Sequence, residues 1–234
     1  MTDLLTPSTT STVSAPVAVR CKGVLFDMDG ILISSLGSVE RSWRAWAVAR
    51  GVDPVLAIHT AHGSRAIETV AKLRPDLDDQ AELKFIEDLE VADVEGLAVL
   101  PGVPELLAAL PAERWTVVTS ATERLARIRM AAGGLAVPER IITADQVTHG
   151  KPNPEPYLKG AEILGIAAVD CVVFEDSPSG TKAGRAAGCT VIGTLFSHPI
   201  EELNAARYLV SDLTGIGVEA VADGLVLRFT PLGI

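Results

Sequence analysis

The stretch Cys21-Lys22-Gly23-Val24-Leu25-Phe26-Asp27-Met28-Asp29-Gly30 decides the fold. A short apolar run ending in two acids and a glycine reads as a buried strand, Cys21 to Phe26, that enters a loop. Downstream, from Leu36 to about Ala98, the pattern turns helical. Val39, Trp43, Trp46 and Ala47 recur at helical spacing, as do Ile67, Val70, Ala71 and Leu83, Ile86, Leu89, with Gly51, Pro54, Gly63 and Pro75 as punctuation. After Leu100-Pro101-Gly102, helices and short apolar runs alternate. The runs are Trp115 to Thr119, a short strand around Ile141-Ile142, Cys171 to Phe174, Thr190 to Gly193 and Tyr208 to Val210. The intervening helices are Pro104 to Leu110, Glu123 to Ala132, Glu155 to Leu164 and Ser179 to Ala187.

Short continuous apolar strands alternating with helices predict a parallel sheet covered on both faces. The fold class is therefore α/β, a Rossmann-like three-layer sheet interrupted after its first strand by an α-helical insert. The expected organisation is a loose tail over 1–17, a sheet domain over 18–34 and 99–234, and a helical unit over 35–98. A hairpin over 218–229 turns at Asp223-Gly224. The tail is rich in Ser and Thr, with Pro7 and Pro16 but no basic n-region, so it does not read as a signal peptide.

Of the 234 residues 48% are hydrophobic and 21% charged, enough apolar surface for a buried core. The net charge of -10 argues against nucleic-acid or anionic-membrane partners, which need a basic surface. No apolar run reaches the ~18 residues of a membrane span. Cys21, Cys171 and Cys189 are widely spaced and odd in number, as expected of reduced core thiols in a cytoplasmic protein. A monomer is the default expectation.

In open α/β sheets ligands sit beyond the carboxyl ends of the strands. Asp27 and Asp29 follow the first strand there, Thr119 and Ser120 another, and Glu175 with Asp176 a third. Lys151 stands in the loop after Ile141-Ile142. Any one of them alone reads as a helix cap or loop residue. Together they describe a chemistry. Converging carboxylates repel unless a cation joins them, and hard oxygen donors suit Mg²⁺. A carboxylate kept ionised by that cation and by a lysine can attack phosphorus. Hydroxyls and an ammonium can hold the phosphoryl oxygens. The second acid, Asp29, is placed to protonate a leaving oxygen and later to deprotonate a water.

Four segments carry a resemblance. They are Asp27-Met28-Asp29-Gly30, Val117-Val118-Thr119-Ser120, Gly150-Lys151-Pro152-Asn153-Pro154 and Phe174-Glu175-Asp176-Ser177. In this order and spacing the chain resembles the haloacid dehalogenase superfamily of phosphohydrolases, over roughly residues 20 to 215. The resemblance implies that Asp27 is the nucleophile and a Mg²⁺ ligand. Asp29 is the acid/base, with its carbonyl on the metal. Lys151 neutralises nucleophile and phosphate. Asp176 is a metal ligand, with Glu175 helping directly or through water. It places the phosphate at Ser120, with the adjacent Thr119 as the alternative and Ala121 beside them. The helical insert stands where the family carries a small mobile cap. There Arg65 and, more weakly, His62 are the candidate substrate contacts. Solvated Arg65 and a packing role for His62 are the competing readings. Trp43 and Trp46 share the apolar stripe and read as cap core, while Glu40 and Arg41 could face cleft or water.

Leu32 to Ser35, His62-Gly63, Ile142 to Val147, Lys151 to Gly160 and Val173 to Gly188 are similar to the sugar- and polyol-phosphate phosphatases. These include enzymes acting on glycerol phosphate and 2-deoxyglucose 6-phosphate. Two positions depart from the pattern. Ile31 replaces the usual Thr, and Ser34 stands where many relatives have Asp. The implied function is Mg²⁺-dependent hydrolysis of small sugar or polyol phosphates. A phosphosugar mutase using the same nucleophile is the alternative. A phospho-accepting signalling module is disfavoured because such modules lack the helical insert.

Overall fold

The computed structural model describes residues 14–233. In chain order the strands are β1 (Val17–Cys21), β2 (Gly23–Phe26), β3 (Ile33–Ser34), β4 (Ala98–Val99), β5 (Trp115–Val117), β6 (Cys171–Glu175), β7 (Thr190–Thr194), β8 (Tyr208–Val210), β9 (Gly217–Val221) and β10 (Gly224–Phe229). The helices are α1 (Leu36–Arg50), α2 (Pro54–Ala61), α3 (Ala66–Leu73), α4 (Asp79–Ala92), α5 (Val103–Ala109), α6 (Glu123–Ala132), α7 (Glu155–Ile163) and α8 (Pro178–Ala186).

Strands β5-β2-β6-β7-β8 form one sheet, parallel throughout. Its alternation explains the unbroken apolar runs. Leu25, Val173 and Val191 point to one face, where Tyr157 and Ala161 of α7 and Ala183 of α8 cover them. Val24, Phe26, Val172, Phe174 and Ile192 point to the other, against Val103 and Leu106 of α5 and Ala126 and Met130 of α6. Both faces are buried, so no polar alternation is needed. Phe26 and Phe174 stack across neighbouring strands with ring centroids 5.2 Å apart.

Four sequence expectations are corrected. The run Cys21 to Phe26 is not one strand. The chain breaks at Lys22, whose N–H bonds the Asp170 carbonyl, and β1 leaves the parallel sheet. It pairs antiparallel along β10, Val17 opposite Phe229 and Cys21 opposite Leu225. Val17 therefore belongs to a strand rather than to the expected tail, of which residues 1–13 lie outside the described residues. The C-terminal hairpin turns at Ala222-Asp223, because Gly224 already pairs with Val221. With β1 it makes a three-stranded sheet whose Leu225, Leu227 and Phe229 complete the α5/α6 side of the core. Finally, Ile141-Ile142 contributes only a single bridge, Val118 to Ile142. Pro138 precedes it and a capped turn starting at Thr143 follows it, which leaves no length for a strand.

The insert between β3 and β4 is all helical. Ile33 pairs with Val99 and Ser34 with Ala98, so a two-residue ladder ties its two connections together. Its helices start and stop on local signals. Asp53 caps α2 by accepting from the Val55 and Leu56 N–H groups, Asp78 caps α4 likewise, and Gly51 ends α1 in the left-handed region. Trp43, Trp46, Ala47, Ala57, Ala61, Val70 and Ile86 form its own core. Trp46 is fully buried, and its Nε1–H donates to Glu82 at 2.7 Å. Arg41 pairs outward with Asp93 at 2.6 Å, and Glu40 is exposed. All three cysteines are buried, and burial pushes the Cys21 thiol up to about 11 and those of Cys171 and Cys189 up to about 12.

Candidate active site

Asp27 follows β2 and Glu175 ends β6, while Lys151 arrives from the loop before α7. Lys151 Nζ donates to Asp27 Oδ1 at 2.7 Å, to Glu175 Oε1 at 2.7 Å and to the Val118 carbonyl at 3.1 Å. Its loop is pinned from behind, because Glu155 accepts from the N–H groups of Thr148 and His149. Burial works against the Lys151 ammonium, yet the two carboxylates outweigh it and hold its pKa above the ordinary lysine value. Lys151 is thus a fixed cation at the mouth of the sheet.

Glu175, expected beside the metal directly or through water, is surrounded by hydrogen-bond donors of the protein. Its Oε1 accepts from Lys151 and from Tyr157 Oη at 2.9 Å. Its Oε2 accepts from the N–H groups of Asp176 and Ser177 and from Ser177 Oγ. Five donors fill the roughly four lone-pair sites of a carboxylate. Burial opposes its ionisation, but Lys151 and these hydrogen bonds keep its pKa below the usual value. Glu175 is an ionised strut that aims Lys151. It fits because Gly180 leaves room, since a Cβ there would fall 1.6 Å from Glu175 Oε1.

Asp27 and Asp176 retain open oxygens. Oxygens of Asp27, Glu175 and Asp176 lie within 4.8 Å of one another, a hard-oxygen group of the kind that holds a divalent cation. Burial, with repulsion from Glu175 and Asp29, pushes Asp27 up to about 7 in spite of Lys151. Burial and the Glu175 and Asp27 charges push Asp176 well above the carboxylate range. Anions so disfavoured call for a cation, and the all-oxygen donor set fits a hard divalent one. Gly30, at φ +83°, makes the approach possible, because a Cβ there would lie 1.8 Å from Asp176 Oδ2.

Beyond β5, Thr119, Ser120 and Ala121 line the cavity with Asp27 and Lys151. The Thr119 hydroxyl accepts from the Ala121 N–H at 3.1 Å and so shapes the turn. Ser120 is half-buried and lines the cavity beside Thr119, so both candidate hydroxyls lie at the same wall. The helical insert roofs this space and leaves a cavity of about 370 Å³, within the range of small-ligand sites. Trp43 packs in the insert core and also lines the roof. His62 lines it too. Its Nε2 is buried without a partner, and its ring stands 6.4 Å from that of His198. Burial and the His198 charge lower its pKa.

Arg65 is differently used from the expected substrate contact. Its guanidinium donates to the carbonyls of Val147 at 2.9 Å and Thr148 at 3.1 Å, and pairs with Glu68. Glu68 in turn accepts from the Gly150 N–H at 3.2 Å. The pair bolts the insert to the loop that delivers Lys151, so its donors are engaged with protein.

Three further residues escaped the sequence reading. Tyr157 is buried against Glu175. Arg129 of α6 is 3% exposed, and it donates to Asp29 Oδ2 at 3.0 Å and to Glu90 of α4 at 3.2 Å. A signal existed for the pair. Arg129 lies on the stripe Leu125, Ala126, Met130, and Glu90 on the stripe Glu82, Ile86, both of which face protein.

Asp27 just beyond β2 thus stands two residues before a second aspartate, beneath a helical insert. The family model for haloacid dehalogenase-like hydrolases matches residues 21–188. This chain belongs to that family. It is 39% identical over 217 residues to hexitol phosphatase A of Escherichia coli, covering 89% of this chain and 99% of that one. It is 37% identical over 201 residues to glycerol-1-phosphate phosphohydrolase 1 of Saccharomyces cerevisiae, covering 80% of each. A hydrolase structure from Pseudomonas syringae superposes with a TM-score of 0.70 at 25% identity, over 82% of this chain and 94% of that one.

Proposed function

We propose that the protein is a Mg²⁺-dependent phosphomonoesterase acting on small sugar or polyol phosphates through an aspartyl-phosphate on Asp27. The observation that carries this reading is Lys151, buried and bonded to both Asp27 and Glu175 beneath a roofed cavity. Its relatives include phosphatases named for hexitols and for glycerol 1-phosphate, and their names support the same substrate class.

The free oxygen of Asp27 attacks phosphorus while the bond to the alcohol oxygen breaks. Asp29 gives its proton to that oxygen as it leaves. Asp29 then takes a proton from a water, which attacks phosphorus and frees Asp27 and inorganic phosphate. Lys151 and Ser120 hold the phosphoryl oxygens, and the roof excludes bulk water. A cation held by Asp27, Asp176 and the Asp29 carbonyl would screen the negative charge that otherwise opposes attack.

A phosphosugar mutase would have to hold a sugar bisphosphate, and its second phosphoryl group needs a cation. Lys151 serves the first phosphoryl group, and the two arginines lining the cavity, Arg65 and Arg129, are engaged by acids or carbonyls. This supports hydrolysis over transfer. The test is phosphate release from glycerol, hexitol and hexose phosphates with Mg²⁺ or EDTA. Metal-dependent release that Asp27→Asn abolishes is expected. Isomerised sugar phosphate with little free phosphate, or turnover indifferent to EDTA, overturns the reading.

A further inference from the structure

Arg129 belongs to none of the strand-end motifs, yet it is the only buried link between Asp29 and the roof found among the described residues. It projects from α6 of the sheet domain with 3% exposure. One terminal nitrogen holds Asp29 Oδ2 at 3.0 Å, and the other holds Glu90 Oε1 at 3.2 Å. Glu90 is itself buried and comes from α4 of the helical insert. Two polar atoms in this cluster, Arg129 Nε and Asp29 Oδ1, are buried without a partner. The same faces of α4 and α6 are joined at their outer edge, where Thr122 donates to Glu87, and Arg124 pairs with Glu87 at 2.7 Å and Asp88 at 2.6 Å.

An arginine so buried needs its carboxylates, and removing either leaves charge stranded in a poorly hydrated place. Its planar fork also fixes direction, because two terminal nitrogens cannot turn independently. Seating α4 on α6 therefore sets the fork, and the fork sets the plane of the Asp29 carboxylate. We propose that Arg129 is a positioning residue that couples closure of the helical roof to the aim of Asp29, with Glu90 as its anchor on the roof. Asp29 lines the cavity and its Oδ1 is left without a protein partner, so this is the oxygen that exchanges the proton with the leaving alcohol. When the roof lifts, Glu90 leaves Arg129, the fork loses one of its two supports, and Asp29 loses its aim. Proton delivery is then confined to the closed state, in which water is excluded.

This inference rests on the phosphatase reading above, and its test separates the two. Steady-state kinetics are compared on glycerol 1-phosphate, whose alkoxide must be protonated as it leaves, and on p-nitrophenyl phosphate, whose phenolate departs without a proton. Arg129→Met is expected to lower kcat/KM on the alkyl ester about 100-fold and on the aryl ester less than about tenfold, a split characteristic of lost general-acid catalysis. Glu90→Gln, which keeps shape and hydrogen-bonding capacity, shows the same split at about tenfold against less than about threefold. Arg129→Lys restores part of the alkyl-ester rate, and Asp29→Asn is the reference for a complete split. Melting curves confirm that each variant is folded, and Glu90→Gln carries the test if Arg129→Met is not. Equal losses on both esters in the folded variants, or no loss in either, overturn the coupling while leaving the phosphatase intact. A wild-type protein that hydrolyses neither ester overturns the phosphatase reading and the coupling with it.

Discussion

Lys151 Nζ lies 2.7 Å from Asp27 Oδ1 although 124 residues separate them in the chain. The parallel sheet makes that meeting possible, because it brings successive strand ends to one edge. Lys151→Met removes the cation and leaves Asp27 and Glu175 facing each other unneutralised. It is expected to lower kcat by about 10³-fold, the scale seen when a preorganised charge-stabilising donor is lost. Lys151→Arg does not rescue, because the side chain is 2% exposed and the site has no room for a planar guanidinium. More than a tenth of wild-type activity in either variant would remove Lys151 from the mechanism.

The raised Asp27 pKa gives a stability test with a definite sign. Its ordinary value is 3.8 and burial moves it to about 7. A carboxyl that holds its proton more tightly when folded contributes stability below its unfolded pKa. That contribution is lost as pH rises toward 7. Asp176, also raised, acts in the same direction. The melting temperature in EDTA should therefore fall between pH 5 and pH 8. Millimolar Mg²⁺, which favours the ionised acids, should raise it at pH 8 and scarcely at pH 5. Equal stabilisation by Mg²⁺ at both values would show that these carboxylates do not hold the cation.

The Arg65 bolt is expected to control how firmly the roof sits. Hydrogen bonds from a charged donor contribute about 1.5–3 kcal/mol each. Arg65→Met, losing its bonds to the carbonyls of Val147 and Thr148, should lower kcat/KM at least about tenfold by that measure. Amide hydrogen exchange should accelerate across 144–150, where Glu68 also holds the Gly150 N–H. Unchanged exchange in that loop would mean that the roof is held elsewhere.

Gly180 reverses the usual rule for helices. Replacing an interior helical glycine by alanine ordinarily stabilises by about 0.5–1 kcal/mol. Here the new methyl would overlap Glu175 Oε1. Gly180→Ala should instead destabilise by about 1–3 kcal/mol, the cost of overpacking. It should also lower activity by displacing the strut beneath Lys151. A stabilised and fully active variant would show that Glu175 does not need its observed position.

Strand ends were legible from sequence because each is a local event, an apolar run meeting polar residues at a loop. Asp27, Asp29, Lys151, Glu175 and Asp176 could be placed on one edge by topology alone. Contacts between the insert and the sheet were not legible. Arg65 looks the same in sequence whether it meets a phosphate or a carbonyl, and Arg129 and Glu90 meet only when α4 sits on α6. The β1–β10 pairing was hidden for a similar reason. More than 200 residues lie between its partners, and β1 continues into β2 with only Lys22 to mark the break.

That pairing has a practical consequence. Val17 and Phe229 are opposite one another on adjacent antiparallel strands, so their Cα atoms are about 5 Å apart. A loop of a few residues could join 229 to 17 without moving either strand. New ends opened at the exposed turn that contains Gly134 would give a circular permutant that keeps every residue of the site. In that chain Lys151 would stand near the start and Asp27 near the middle, so the two would meet in reversed order along the sequence.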